Sequence, residues 1–73
     1  MSIRQLQMIR ALEIAGSVSA AAIALQVSQS ALSHRIREAE RLLDTPLYSR
    51  QNKKLVATPA GLRVQFAARR VLA

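Results

Sequence analysis

Cysteine is absent from the 73-residue chain. That excludes a disulfide framework, a thiolate metal site and a cysteine nucleophile, and it suits a reducing compartment such as the cytoplasm. Histidine occurs once, as His34, and acidic residues only four times, too few for a histidine–carboxylate metal site. The same scarcity leaves no paired carboxylates for acid–base work. There is also no nucleophile–base constellation and no glycine-rich phosphate loop, so the chain is not expected to be an enzyme and calls for no cofactor. Aromatics are reduced to Tyr48 and Phe66. No apolar run approaches the roughly 18 residues of a membrane-spanning helix. The N-terminal MSIRQLQMIR breaks its apolar pattern with charge and is not a signal peptide. Internal repeats, low-complexity stretches and flexible linkers are missing as well.

What remains is aliphatic and basic. Hydrophobic residues make up 51% of the chain, enough for one small core. A domain of this size buries only about 60% of the surface its unfolded chain exposes, so its stability is modest. Eleven Lys and Arg against four acidic residues give a net charge of +7. That charge implies attraction to a polyanion, either nucleic acid or an anionic membrane surface. Six of the eleven cations (Arg35, Arg37, Arg41, Arg50, Lys53 and Lys54) fall between residues 35 and 54, which argues for a charged face.

The first helix is expected from Ile3 to Ala15. Ser2 caps it, Gln5 completes a capping box, and Gly16 ends it. Leu6, Ile9, Ala11, Leu12 and Ile14 give it a broad apolar face. After Ser17-Val18-Ser19, a short second helix runs from Ala20 to Leu25, with alanines small enough for close helix packing. Gln26-Val27-Ser28 is a tight break, with Val27 plugging the corner.

A third helix follows in SQSALSHRIREAERLL, residues 28–43, with Ser28 as its N-cap. Leu32, Ile36, Ala39 and Leu43 recur along one side of a 3.6-residue period. Ser30, Ser33, His34, Arg37 and Arg41 fall mainly on the other. Two helices about so short a turn form a helix-turn-helix, spanning about residues 18–37. A helix that is small and polar at its start and cationic beyond can enter a DNA major groove, about 12 Å wide. An ordinary solvent-facing helix in a helical hairpin has the same pattern.

Pro46 pushes Thr45 toward extended geometry. Leu47–Arg50 and Leu55–Ala57 read as two short strands, and Gln51-Asn52-Lys53-Lys54 as the hairpin tip. A basic-tipped hairpin after a helix-turn-helix is a wing, although Lys53 and Lys54 would also keep an edge hairpin soluble. Thr58-Pro59 opens a last helix, an N-cap followed by proline at the first helical position. Arg63, Arg69 and Arg70 give it charge. No stop signal closes it before Ala73, which suggests a truncated chain. Its apolar residues exceed what a three-helix core and wing require, so part of it is expected to pair with another copy.

Taken in order, these residues resemble the N-terminal DNA-binding domain of LysR-type transcriptional regulators. The resemblance covers nearly the whole chain without gaps. It rests on Leu6, Gly16-Ser17, Ala21-Ala22 with Leu25, the run from Val27 to Ser33, then Ile36, Glu40 and Leu43. Its most specific part is Pro46-Leu47-Tyr48 with Arg50, followed by Thr58-Pro59-Ala60-Gly61. The departures are Ala39 and Ala57 where the family usually has Leu, Asp44 where it has Gly, and a wing tip without Gly. These touch core size and wing shape and leave the DNA-reading positions alone. The run Ser30-Ala31-Leu32-Ser33-His34 looks most like the regulators of methionine and one-carbon genes.

The resemblance implies a mainly α winged helix-turn-helix, with a three-helix core and a two-stranded wing over residues 1–58. Residues 59–73 would begin a long linker helix that dimerises the protein, with Leu62, Phe66, Arg69 and Leu72 at the contact. A C-terminal effector-binding domain would lie outside this chain, and the full-length protein would assemble from homodimers into tetramers. The dimer would read an interrupted dyad in duplex DNA, with half-sites about one helical turn apart, roughly 34 Å, or a multiple of it.

Gln29 can pair with adenine edges, and Ser30, Ser33 and His34 can reach bases or phosphates. Ser28 with its first-turn amides suits a phosphate. Arg35, Arg37 and Arg41 are candidate phosphate contacts where they face DNA and solvent charges where they do not. Arg50 fits either a phosphate or a structural ion pair, and Lys53 and Lys54 would act in the wing. Glu38 and Glu40 would repel DNA and should point away from it.

Two other classes compete. A winged-helix module that binds protein would show no charge-dependent DNA affinity. A basic membrane-surface segment would fold only on lipid, against the capped and turn-punctuated pattern seen here.

Overall fold

The computed structural model describes residues 1–52 and 54–73. Its elements in chain order are α1 (Ile3–Ala15), α2 (Val18–Leu25), α3 (Gln29–Leu43), β1 (Tyr48–Gln51), β2 (Lys54–Ala57) and α4 (Pro59–Val71). Every helix begins where a hydroxyl caps it. The Ser2, Ser17, Ser28 and Thr58 side chains accept the amides of Gln5, Ala20, Ala31 and Gly61. Gln5 returns the bond to the Ser2 N–H at 2.8 Å, completing the capping box. Because Ser17 does the capping, α2 starts two residues before the expected Ala20.

Three helices end in left-handed residues: Gly16, Gln26 and Asp44, at φ 80°, 59° and 52°. Asp44 thus adopts the left-handed conformation that Gly takes most readily. It does so at a cost of order 1 kcal/mol or more, because its Cβ crowds the backbone there. Helix α3 closes in the same way regardless, with the Asp44 and Thr45 amides donating to the carbonyls of Arg41 and Glu40.

The core joins Met8, Ile9 and Leu12 of α1, Ala21 and Ala22 of α2, and Leu32, Ile36 and Ala39 of α3. Leu47 from the loop before β1 and Ala68 of α4 complete it. Ile9, Leu32 and Leu47 are fully buried, each contributing about 1.5–3 kcal/mol relative to exposure. Val27 packs at the corner as expected.

Several apolar expectations fail. Ile14 and Ile23 are 69% and 79% exposed, on faces turned away from the buried Ile9 and Leu12 of α1 and Ala21 and Ala22 of α2, and Leu43 is exposed at the end of α3. Met8, which the sequence pattern did not single out, takes an inner place on α1.

Strands β1 and β2 pair antiparallel, Tyr48 opposite Ala57 and Arg50 opposite Leu55. Asn52 turns the tip at φ 52°. Lys53 lies outside the described residues. Helix α4 packs against α1 and sends Gly61, Gln65 and Ala68 inward. The core therefore draws on four helices, and the expected boundary after residue 58 runs through one packed body. Gly61 lies so close to Leu47 that an added Cβ would stand 2.0 Å from the Leu47 carbonyl oxygen.

Candidate nucleic-acid interface

Helix α3 buries Leu32, Ile36 and Ala39, and this fixes what it shows outward. Ser30, His34, Arg37 and Arg41 form the ridge opposite, all exposed. Ser28 is committed to its cap, accepting the Ala31 amide at 3.1 Å, and its hydroxyl lies 3.3 Å from that of Ser30. The first-turn amides of Gln29 and Ser30 find no partner among the described residues. They stand free at the positive end of the helix dipole.

The two flanks of this ridge differ. On one side a groove separates α3 from the wing, lined by Ser33, Arg37 and Glu40 from the helix and Ser49, Arg50 and Leu55 from the hairpin. Ser33 is half-buried there rather than on the open ridge. A second cleft brings exposed Gln29 beside Arg50 and Lys54 of the wing and Gly16, Ser17 and Ser19 at the α1–α2 turn. On the far side Arg35 turns away from the wing into a cleft with Arg4, Gln5 and Glu38.

The candidates thus fall into two groups. Gln29, Ser30, Ser33, Arg37, Arg50 and Lys54 share one surface, while Arg35 stands on the opposite flank with Arg4. Sequence reasoning missed Arg4, and it missed the α1–α2 turn. Ser17 and Ser19, polar beside an alanine-rich run, were the available signal for the latter.

The two acidic residues of α3 are both engaged. Glu38 pairs with Arg41, Oε2 to Nη2 at 2.9 Å. The hydrogen bond and charge of Arg41 hold the Glu38 carboxyl below its usual range, and the pair raises Arg41 in turn. Arg41 is thereby engaged within its own helix. Glu40 accepts the Leu47 and Tyr48 amides. It lines the wing groove and does not point clear of it. Arg50 enters no ion pair among the described residues. Burial pushes the Tyr48 hydroxyl up, and neighbouring Gln65 only partly offsets this. That hydroxyl has no hydrogen-bond partner among the described residues.

On α4, Leu62 and Phe66 are 55% and 57% exposed. The Arg70 guanidinium stands over the Phe66 ring, 5.7 Å from its centroid. Arg69 reaches back to Glu13 of α1 at 3.2 Å, and Glu13 also holds Arg10. Leu72 packs against the core. Two of the four expected dimer residues thus face outward and two face this chain's own body.

Residues 3–62 match the family model described as bacterial regulatory helix-turn-helix protein, lysR family. A probable RuBisCO transcriptional regulator of Gracilaria tenuistipitata var. liui is 41% identical over 69 residues, covering 94% of this chain and 22% of that protein. The transcriptional regulator MetR of Haemophilus influenzae matches at the same 41% and the same coverage, so identity singles out no methionine-gene subgroup. The chain therefore spans about a fifth of the length of these curated relatives. The CbnR_DBD–DNA complex superposes with a TM-score of 0.87 at 35% identity, covering 99% of this chain and 83% of that one. The BenM_DBD/benA site 1 DNA complex gives 0.90 at 29% identity, covering 99% and 84%.

Proposed function

The chain belongs to the lysR family of bacterial regulatory helix-turn-helix proteins and is a DNA-binding domain of that family, and we propose that α3 reads the major groove while the wing lies over the adjacent backbone and minor groove. The observation that carries this reading is the single surface shared by the N-terminal half of α3 and the wing. Small side chains, free amides and, among the described residues, unpaired cations occupy it, and its acidic residue, Glu40, is bound to backbone amides. Gln29 and Ser30 meet base edges, Arg37 and Ser33 the near strand, and Arg50 and Lys54 the backbone and minor groove under the wing. His34, at the crest, meets bases or phosphates, and the Ser28 cap presents its helix amides to a phosphate. Arg35 with Arg4 contacts the far strand. Lys53, by its place in the sequence, adds charge at the wing tip.

The whole protein is a transcriptional regulator working in the cytoplasm. Among the described residues no helix is long and apolar enough to cross a membrane. A second copy covers Leu62 and Phe66, so that two α3 helices meet an interrupted dyad. A small-molecule effector binds a domain beyond this chain.

Selection of duplexes from a randomised pool at near-physiological salt tests the reading. Simple retention on DNA is insufficient, because a +7 chain binds phosphate without sequence preference. Enrichment of an interrupted dyad, lost in Gln29→Ala, is the expected result. Retention without any enriched sequence overturns specific reading. No retention at all overturns DNA binding and favours a protein partner.

A further inference from the structure

Of the residues lining the groove between α3 and the wing, Glu40 alone is acidic. A carboxylate placed beside a phosphate path repels the ligand, so its presence there calls for a compensating role. Its hydrogen bonds supply one. A single oxygen, Oε2, accepts the Leu47 amide at 2.7 Å and the Tyr48 amide at 3.2 Å. These are the amides through which the chain enters β1. Bonds from N–H groups to an ionised carboxylate are short and about twice as strong as neutral ones.

The other tie at the base of the hairpin is made without α3. The Thr58 amide donates to the Leu47 carbonyl at 2.9 Å, and the Thr58 hydroxyl to the Pro46 carbonyl at 2.7 Å. Thr58 thus closes the hairpin on itself. Among the described residues, the Glu40 side chain supplies the hydrogen bonds that join α3 to Leu47 and to Tyr48, the first residue of β1. Arg37 lies three residues earlier on the same helix, and Arg50 two residues beyond Tyr48 on the same strand. The Glu40 tie therefore sets the separation between a cation on the reading helix and a cation on the wing.

We propose that Glu40 is a positioning residue for DNA recognition: it fixes the wing against α3, so that base pairs under the two are read as one continuous site. This rests on the assignment of α3 and the wing to DNA. Leu47 is fully buried and anchors the near end of the strand, so loss of the tie swings the wing while leaving α3 in place.

The test compares Glu40→Ala and Glu40→Gln with the unaltered chain in the duplex selection, together with amide hydrogen exchange. Glu40→Gln keeps an acceptor oxygen at the same reach. Glu40→Ala keeps the preference for base pairs under α3 and loses at least roughly fivefold of the preference under the wing, the size of one lost base-pair discrimination. Glu40→Gln retains most of the wing preference and, lacking one negative charge, binds all sequences more tightly. The Leu47 and Tyr48 amides exchange slowly in the unaltered chain.

Retention of the wing preference in Glu40→Ala overturns the proposal, leaving Glu40 a mere charge. So does a loss of both preferences by the same factor, the mark of general destabilisation. Fast exchange of the two amides in the unaltered chain overturns the tie even if Glu40→Ala does not fold. An unaltered chain that enriches no sequence overturns the DNA reading itself, an outcome distinct from fast exchange.

Discussion

Helices α3 and α4 are close in length and open with the same kind of hydroxyl cap, yet they bury opposite kinds of residue. Helix α3 turns Leu32, Ile36 and Ala39 inward and shows Ser30, His34 and Arg37. Helix α4 turns Gly61, Gln65 and Ala68 inward and shows Leu62, Phe66 and Val71. The first packs one aliphatic face against the body and leaves a polar face free. The second has small residues where the fold needs close approach and large apolar ones where the fold has no use for them, which is the pattern of a helix with a second protein contact to make.

The sharpest way to break this contrast is to truncate both. Leu32→Ala is expected to cost about 2–5 kcal/mol of unfolding free energy, whereas Phe66→Ala changes the dilute monomer by no more than about 0.5 kcal/mol. Urea unfolding at low concentration compares them, and equal costs would erase the distinction. Gly61→Ala tests the inner face of α4. Its Cβ would meet the Leu47 carbonyl oxygen at 2.0 Å, and the expected loss is about 1–3 kcal/mol. A neutral result would mean that α4 lies loosely on the body.

On the outer faces, Gln29→Ala should weaken binding to the selected sequence by about 1–3 kcal/mol without moving the thermal midpoint. Phe66→Ala should instead leave single half-sites bound and abolish the preference for paired ones. Swapped outcomes would reverse the assignment of the two helices.

A smaller effect sharpens the account of how α3 ends. Asp44→Gly relieves a left-handed aspartate and is expected to raise stability by up to about 1 kcal/mol, by the same denaturation assay. The smallest effect is that of pH. Glu38 is held below its ordinary value by Arg41. The stability it adds is therefore present above the unfolded carboxyl's pKa and is lost as pH falls through the lower folded value. Because the pair is exposed, the slope that separates Glu38→Gln from the unaltered chain should be shallow.

Much of this was legible from local signals. The capping hydroxyls of Ser2, Ser28 and Thr58, the stop at Gly16 and the single-sided period of α3 act within a few residues, and each places its element correctly. What local patterning could not supply was the direction of apolar residues on helices with several neighbours. In α1, Ile14 continues the apolar pattern but lies on the face away from Ile9 and Leu12, while Met8, with no pattern to mark it, is covered by the body. Gln65, a polar side chain of the kind found mostly in water, is 8% exposed because α4 lies against α1. On the candidate site, the reading ridge was legible as the face opposite Leu32 and Ile36. The place of Ser33 in a groove and the engagement of Arg41 by Glu38 depend on where the wing sits and on rotamers, which no spacing encodes. Glu40 was expected to point away from DNA, and only the fold showed what its carboxylate holds.

The seam between α1 and α4 bears on how such a chain is made. Ala68, fully buried, belongs to the same core as Ile9, so the first helix and the last complete one interior between them. During synthesis the early helices can form as they emerge, but the core cannot close until residue 68 has cleared the ribosome. Until then the exposed faces of α1 and α3 are open to chaperones and proteases, and the nascent segment acquires its binding surface late, in one cooperative step.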